Sequence, residues 1–191
     1  FLLKFSSDGV IDWGIGSQTT GTLTPLAGGF TVDVDSDGFV YIGGRVTFSG
    51  GSGRMLFGNH SLSSPGLALV KISNNGTVIW ASSAYTPSNA ESVNDIFVDE
   101  FGEIFIVGTY YGTLAYNNGI NTCTSDSTDN RYRPFIAHVN DTGYWQRCHD
   151  LTPANIPGTQ SVATGITESD NHLFVCVTNS TQVGSASSVF V

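Results

Sequence analysis

The segment Asp33-Val34-Asp35-Ser36-Asp37-Gly38 places carboxylates at every second position ahead of a glycine. This is the opening of a calcium loop, in which alternating carboxylates offer oxygens to a hard cation and glycine permits the sharp bend. A complete EF-hand loop adds a bidentate glutamate at its twelfth position; counted from Asp33, that position holds Gly44. The same residues are also good hairpin chemistry, because Asp, Ser and Gly favour tight turns. An apolar run, Phe39-Val40-Tyr41-Ile42, follows them. The two readings differ in what should recur elsewhere in the chain. A repeated metal site repeats its carboxylates, whereas a repeated turn repeats only the turn.

Other reactive side chains are sparse. The four histidines are His60, His138, His149 and His172, and no two stand in an H-x-x-x-H pair. Cys148, His149 and Asp150 are consecutive, but neighbours on a strand point to opposite faces, so they form no local triad. The glycine-rich stretch at 50–54, Gly-Gly-Ser-Gly-Arg, is not followed by the helix that a phosphate site requires and reads as a loop. No nucleophile elbow, zinc-protease motif or P-loop is present. The acidic residues Asp99, Glu100 and Glu168 fall in turns, and no pair of carboxylates is singled out for glycoside hydrolysis. No cofactor is expected, with calcium at Asp33, Asp35 and Asp37 the one metal to consider.

Internal repetition explains most of the chain. "FLLKFSSDGVIDW" from Phe1, "ALVKISNNGTVIW" from Ala68 and "FIAHVNDTGYW" from Phe135 align on turn glycines Gly9, Gly76 and Gly143, which are spaced 67 residues apart. A tryptophan follows each: Trp13, Trp80 and Trp145. Within each unit a second set aligns, "VDVDSDGFVYIGG", "IFVDEFGEIFIVG" and "TGITESDNHLFVCV". A third set, rich in glycine and aromatics, ends in a polar loop. The units are approximately 1–67, 68–134 and 135–189, with 190–191 starting the next. Each carries four strand signals joined by turn residues and no helical periodicity. Four short antiparallel strands repeated at this interval describe a propeller blade, so the expectation is an all-β chain of about three four-stranded antiparallel blades. Neither end reads as a natural terminus, and the chain is expected to be an interior piece of a longer one.

The strand lysine, turn glycine, tryptophan, "VDxxGxxYxxG" and "GxxxGxxxF/Y" together resemble the SBBP-type β-propeller repeat, over nearly the whole chain. That resemblance implies an extracellular or surface protein with a repetitive propeller and often no assigned activity. The chain departs from the pattern at His138, which replaces Lys4 and Lys71, and at Asn171, which replaces the turn glycines Gly38 and Gly102.

The aligned copies also bear on the calcium question. Asp35 recurs as Asp99 but then as Thr167; Asp33 becomes Phe97 and Gly165; Asp37 becomes Phe101, or Ser169 beside an inserted residue. What repeats is the turn. The tryptophans repeat too and are expected to pack the core, whereas Tyr110, Tyr111 and Tyr116, in the less repetitive segment, are the better candidates for an exposed contact.

Net charge is −9, with 7 basic residues against 16 acidic ones. This excludes the basic footprint of a nucleic-acid binder and argues against anionic membranes, and no apolar run is long enough to span a bilayer. The three cysteines allow one disulfide and one free thiol, or three thiols. In a secreted protein Cys123 and Cys148 are expected to pair, leaving Cys176 buried and reduced. Sequons stand at Asn59, Asn75, Asn140 and Asn179, the last directly after a strand. The expected role is an extracellular scaffold or adhesive repeat, possibly building a filament, whose partners are further repeats of the chain or identical subunits. A glycan-binding, lectin-like module is the alternative, and a non-catalytic part of a propeller enzyme is a third reading.

Overall fold

The computed structural model describes residues 1–22, 24–49, 53–86, 91–117, 119–124, 131–152 and 160–180. Residues 190–191, expected to start a further unit, lie outside that set. The described residues form seventeen strands and no helix. Two short strands, β1 (Leu2–Phe5) and β2 (Ile11–Ile15), form a hairpin. A six-stranded antiparallel sheet follows, in the order β13-β12-β9-β8-β5-β4. Its strands are β4 (Thr24–Val34), β5 (Val40–Ser49), β8 (Gly66–Ile72), β9 (Val78–Tyr85), β12 (Thr113–Tyr116) and β13 (Asn121–Thr124). A four-stranded sheet comprises β10 (Ser92–Val98), β11 (Ile104–Tyr111), β14 (Tyr132–Val139) and β15 (Trp145–Asp150). A second hairpin pairs β16 (Gln160–Ser169) with β17 (His172–Ser180), and β3 (Ser17–Gly21), β6 (Gly53–Phe57) and β7 (His60–Leu62) form a small sheet.

The sheets stack in layers, and this explains the continuous apolar runs. In β8 the consecutive residues Leu67, Ala68, Leu69 and Val70 are all buried. Successive side chains leave a strand on opposite faces. Leu67 and Leu69 therefore join the cluster shared with the four-stranded sheet, while Ala68 and Val70 face the β1–β2 hairpin and the three-stranded sheet. The four-stranded sheet repeats this. Ile104 and Ile106 of β11 face the six-stranded sheet, and Phe105 and Val107 face β16–β17. Burial on both faces calls for β-branched and aromatic residues at successive positions, as in "EIFIVG".

The strands of one sheet come from two successive sequence units. In the larger sheet β4 and β5 belong to the first unit, and β8 and β9 to the second. The inner hairpins β4–β5, β10–β11 and β16–β17 share one irregularity, a bulge between Gly29 and Thr31, between Val93 and Asp95, and between Ala163 and Gly165. A bulge at one repeated position aims each strand the same way. The all-β, antiparallel expectation holds, with sheets of two, three, four and six strands among the described residues in place of uniform sheets of four. The cause lies in the segments read as polar loops. Each contains a hairpin, β6–β7 or β12–β13, that reaches back to an earlier strand, with β6 pairing to β3 and β12 to β9 through Ala115 and Tyr85. The turn at Asn171 also differs from its counterparts. Asp170 and Asn171 both have positive φ, 52° and 62°, and make a two-residue hairpin turn in which short polar side chains tolerate that conformation.

Neighbouring layers are locked by a repeated joint. The Trp13 Nε1–H donates to the Asn74 carbonyl at 2.8 Å, and the Trp80 Nε1–H donates to the Asp141 carbonyl at 2.8 Å. Each ring lies over the glycine of the turn it caps, Gly76 and Gly143, where a Cβ would stand 3.0 Å from the indole. Both glycines also have φ above 80°, so glycine is required for conformation and for space. Trp145 does not take the third place in this series. Opposite Lys4 and Lys71 stand Trp13 and Trp80, but opposite His138 stands Arg147. Trp145 lies two residues earlier, is buried against Tyr116, and donates to Ser82 Oγ at 3.0 Å. The turn before it is two residues closer to the tryptophan, which moves the ring from the joint into the core.

Trp13→Ala removes a half-buried indole and one hydrogen bond, a cost of about 2 kcal/mol against ~3–5 for a fully buried ring. Native-state hydrogen exchange should show the loss locally: amides of β1 and β2 lose protection while those of β8 and β9 keep theirs. Uniform loss over all sheets would contradict the joint.

Candidate functional site

Two of the three carboxylates of the calcium-like stretch are already engaged. Asp35 closes its turn: Oδ1 accepts the N–H groups of Asp37 at 3.1 Å and Phe39 at 2.8 Å, and Oδ2 accepts the Tyr41 hydroxyl at 2.8 Å. Burial, then this carboxylate, pushes the Tyr41 phenol well above its ordinary pKa and keeps it a donor. Asp99 repeats the turn, accepting from Phe101 and Glu103 at 2.9 Å each. Asp33 faces another strand. Its Oδ1 accepts the Val34 N–H, and its Oδ2 accepts the Val98 N–H at 2.8 Å. Asp37 is exposed at the turn. Among the described residues no group of three or more His, Cys, Asp or Glu side chains is placed to hold a metal, so Asp33, Asp35 and Asp37 are not brought together as a cation cage.

Asp95, which the sequence reading did not single out, does what Asp33 does. Its Oδ1 accepts the Ile96 N–H at 3.0 Å and the Thr31 hydroxyl at 3.2 Å, and its Oδ2 accepts the Ile166 N–H at 2.9 Å. Asp33 thus links β4 to β10, and Asp95 links β10 to both β4 and β16.

The histidine and cysteine candidates are likewise absorbed. His138 stacks on Phe105 with centroids 4.8 Å apart and pairs with Glu103. Cys148 is disulfide-bonded, His149 is exposed, and Asp150 accepts from Tyr110 at 2.9 Å and lies 3.6 Å from Arg133. Their side chains alternate across β15 and make no triad. Tyr110 and Tyr116 are buried, and Tyr111 is half-buried against Tyr132. Tyr110 and Tyr116 therefore belong to the core between the two large sheets and not to an exposed contact, while Tyr111, next on β11, leaves the opposite face.

Cys123 and Cys148 form a disulfide with Cα atoms 5.4 Å apart. It joins β13 of the six-stranded sheet to β15 of the four-stranded one, and so staples two layers. Cys176 is free but only half-buried, a correction to its expected burial. Among the described residues β17 pairs with β16 alone, which leaves this strand less covered than β5 or β11. Asn59 and Asn75 are exposed, and Asn140 is half-buried with its Oδ1 accepting from the Thr142 hydroxyl at 2.7 Å. Asn179 is 5 % exposed within β17, where its Oδ1 accepts from Ser161 Oγ. A glycan on Asn179 would have to displace this packing, because β17 includes Asn179 itself.

One concave surface has a distinct chemical character. A groove of about 450 Å³ is walled by Ser61, Ser63, Ser64, Ser82, Ser83, Asn117 and Tyr144, with Ile120 at its rim. Asn117 has φ 51° and donates to the Trp145 carbonyl at 2.6 Å. The groove carries hydroxyls and an amide but no charged side chain. It gathers residues from both back-reaching segments, β9 and the turn before β15, which the sequence alone did not bring together.

No protein-family model matches the sequence, and no curated protein is significantly similar to it.

Asp33→Ala leaves the Val98 N–H without its charged acceptor and should cost about 2 kcal/mol. The loss should be the same with calcium or with chelator, and chelator should leave the melting temperature of the parent chain unchanged. A calcium-dependent rise in the parent that Asp33→Ala abolishes would establish a metal site instead.

Proposed function

We propose that the chain is a non-catalytic scaffold of propeller-type repeats, akin to the SBBP class, acting at the cell surface or outside the cell. The observation that carries this reading is the use of its polar chemistry. Asp33, Asp35, Asp95, Asp99, Trp13, Trp80 and Cys148, the side chains with most chemical capacity, are all engaged in turns or in ties between layers. Repeated joints of this kind let identical layers be added in series. A disulfide between layers suits an oxidising compartment, and the acidic surface suits neither nucleic acid nor anionic lipid.

The neutral, hydroxyl-lined groove supports a second reading, a lectin-like module in which Asn117 and the serines bond sugar hydroxyls and Tyr144 supplies a ring face. A glycan array probed with the labelled chain separates the two. The scaffold reading expects no specific ligand. A glycan whose binding is lost on Tyr144→Ala or Ser83→Ala would overturn it in favour of the lectin.

A further inference from the structure

We propose that Asn140 carries an N-linked glycan whose first sugars lie in the serine-lined groove; this rests on the extracellular setting of the scaffold reading and adds a modification site to it. Every wall residue of the groove falls between Ser61 and Tyr144, well inside the chain.

The turn before β15 brings an acceptor sequence to the groove. Asn140-Asp141-Thr142 is a sequon. The Asn140 Oδ1 caps the turn, accepting the Thr142 N–H at 3.2 Å, the Thr142 hydroxyl at 2.7 Å and the Tyr144 N–H at 2.9 Å. These bonds fix the side chain and engage only its oxygen. The Nδ2, the atom that takes a sugar, has no partner among the described residues. Standard bond lengths put it about 2.3 Å from the Oδ1, and hence within roughly 5 Å of the Tyr144 nitrogen. Tyr144 is itself a wall of the groove, so a single pyranose on Nδ2 spans the gap. Asn75 is placed differently. It is exposed, stands one residue before its turn glycine, and has Thr77 where the other turn has Tyr144. A glycan there projects into solvent.

The groove suits such an occupant. The core of an N-linked glycan is built from neutral amino sugars that carry hydroxyl and N-acetyl groups. Serine hydroxyls both donate and accept, and Asn117, whose Nδ2 donates to the Trp145 carbonyl, keeps its Oδ1 for a sugar hydroxyl. Tyr144 is 53 % and Ile120 79 % exposed, which leaves apolar surface for a ring face and an acetyl methyl to cover. The volume of about 450 Å³ lies within the range of ligand clefts, roughly 300–1,000 Å³. In the transfer, Asn140 Nδ2 attacks C1 of a polyprenyl-pyrophosphate-linked oligosaccharide. The Nδ2–C1 bond forms as the C1–O bond breaks, the pyrophosphate leaves with the bonding pair, and Nδ2 loses one proton to a base of the transferase.

The test uses the chain secreted from a eukaryotic host with its disulfide formed. Peptide mapping should find Asn140 occupied. An endoglycosidase that cuts between the two core amino sugars should release the Asn140 glycan at least about tenfold more slowly from the folded chain than from the reduced, denatured one, because folding closes access to the bond. Tyr144→Ala, at an exposed position, should remove most of that protection, and Ser83→Ala, which deletes one groove hydroxyl, should remove part of it. An unoccupied Asn140 in the folded chain overturns the proposal, as does equal release from folded and denatured chains, or protection that survives both substitutions. None of these results touches the scaffold reading, which falls only to specific binding of a free glycan.

Discussion

An inner strand with a bare edge is the constraint from which the rest of this architecture follows. β4, β10 and β16 each sit at the edge of their hydrogen-bonded ladder, with neighbouring layers close by. Unpaired N–H groups there are costly if buried and hazardous if exposed. The chain resolves this with carboxylates: Asp33 accepts from Val98 on the next layer, and Asp95 from Ile166 on the one after. Each carboxylate also accepts its own following N–H, which fixes its rotamer. The bonds align one layer on the next, and the tryptophan joints and the Cys123–Cys148 staple then hold the outer strands at the spacing this sets.

Much of the strand content was legible in the sequence, because a doubly buried strand must be apolar at successive positions and its turn must carry Gly, Asn or Asp. Comparing the aligned copies also marked the turn as the feature that repeats, since Asp35 recurs as Asp99 whereas Asp33 and Asp37 have no aligned carboxylate. What the sequence hid was contact between distant residues. Asp95 sits in an unremarked "SVNDIFV" strand, and its partner Ile166 is far along the chain. The back-reaching hairpins were hidden by polarity, since β13, "NTCT", lacks the apolar alternation that marks a half-buried strand. Trp145 follows its turn glycine by two residues, where Trp13 and Trp80 follow theirs by four, and that offset exchanged a joint for a core position.

The candidate site was less legible than the fold for the same reason. The serine-lined groove is assembled from β7, β9, the turn after β12 and the turn before β15, four segments with no common motif. The tyrosines that composition put forward are consumed by packing, and Tyr144, one residue before the displaced tryptophan, stands at the groove instead. Polar side chains in this chain serve layer-to-layer ties, an acidic surface and one neutral groove.

The central claim is that carboxylates from one layer protect the edge amides of the next, and amide hydrogen exchange at Val98 and Ile166 tests it most directly. Neither N–H is bonded within its own ladder, yet both should exchange slowly, at rates comparable to paired amides of β10 and β16. Of these two amides, Asp33→Ala should release Val98 and leave Ile166 protected, and Asp95→Ala should do the reverse. Exchange at both positions as fast as at the exposed turn residues of the parent chain would contradict the account.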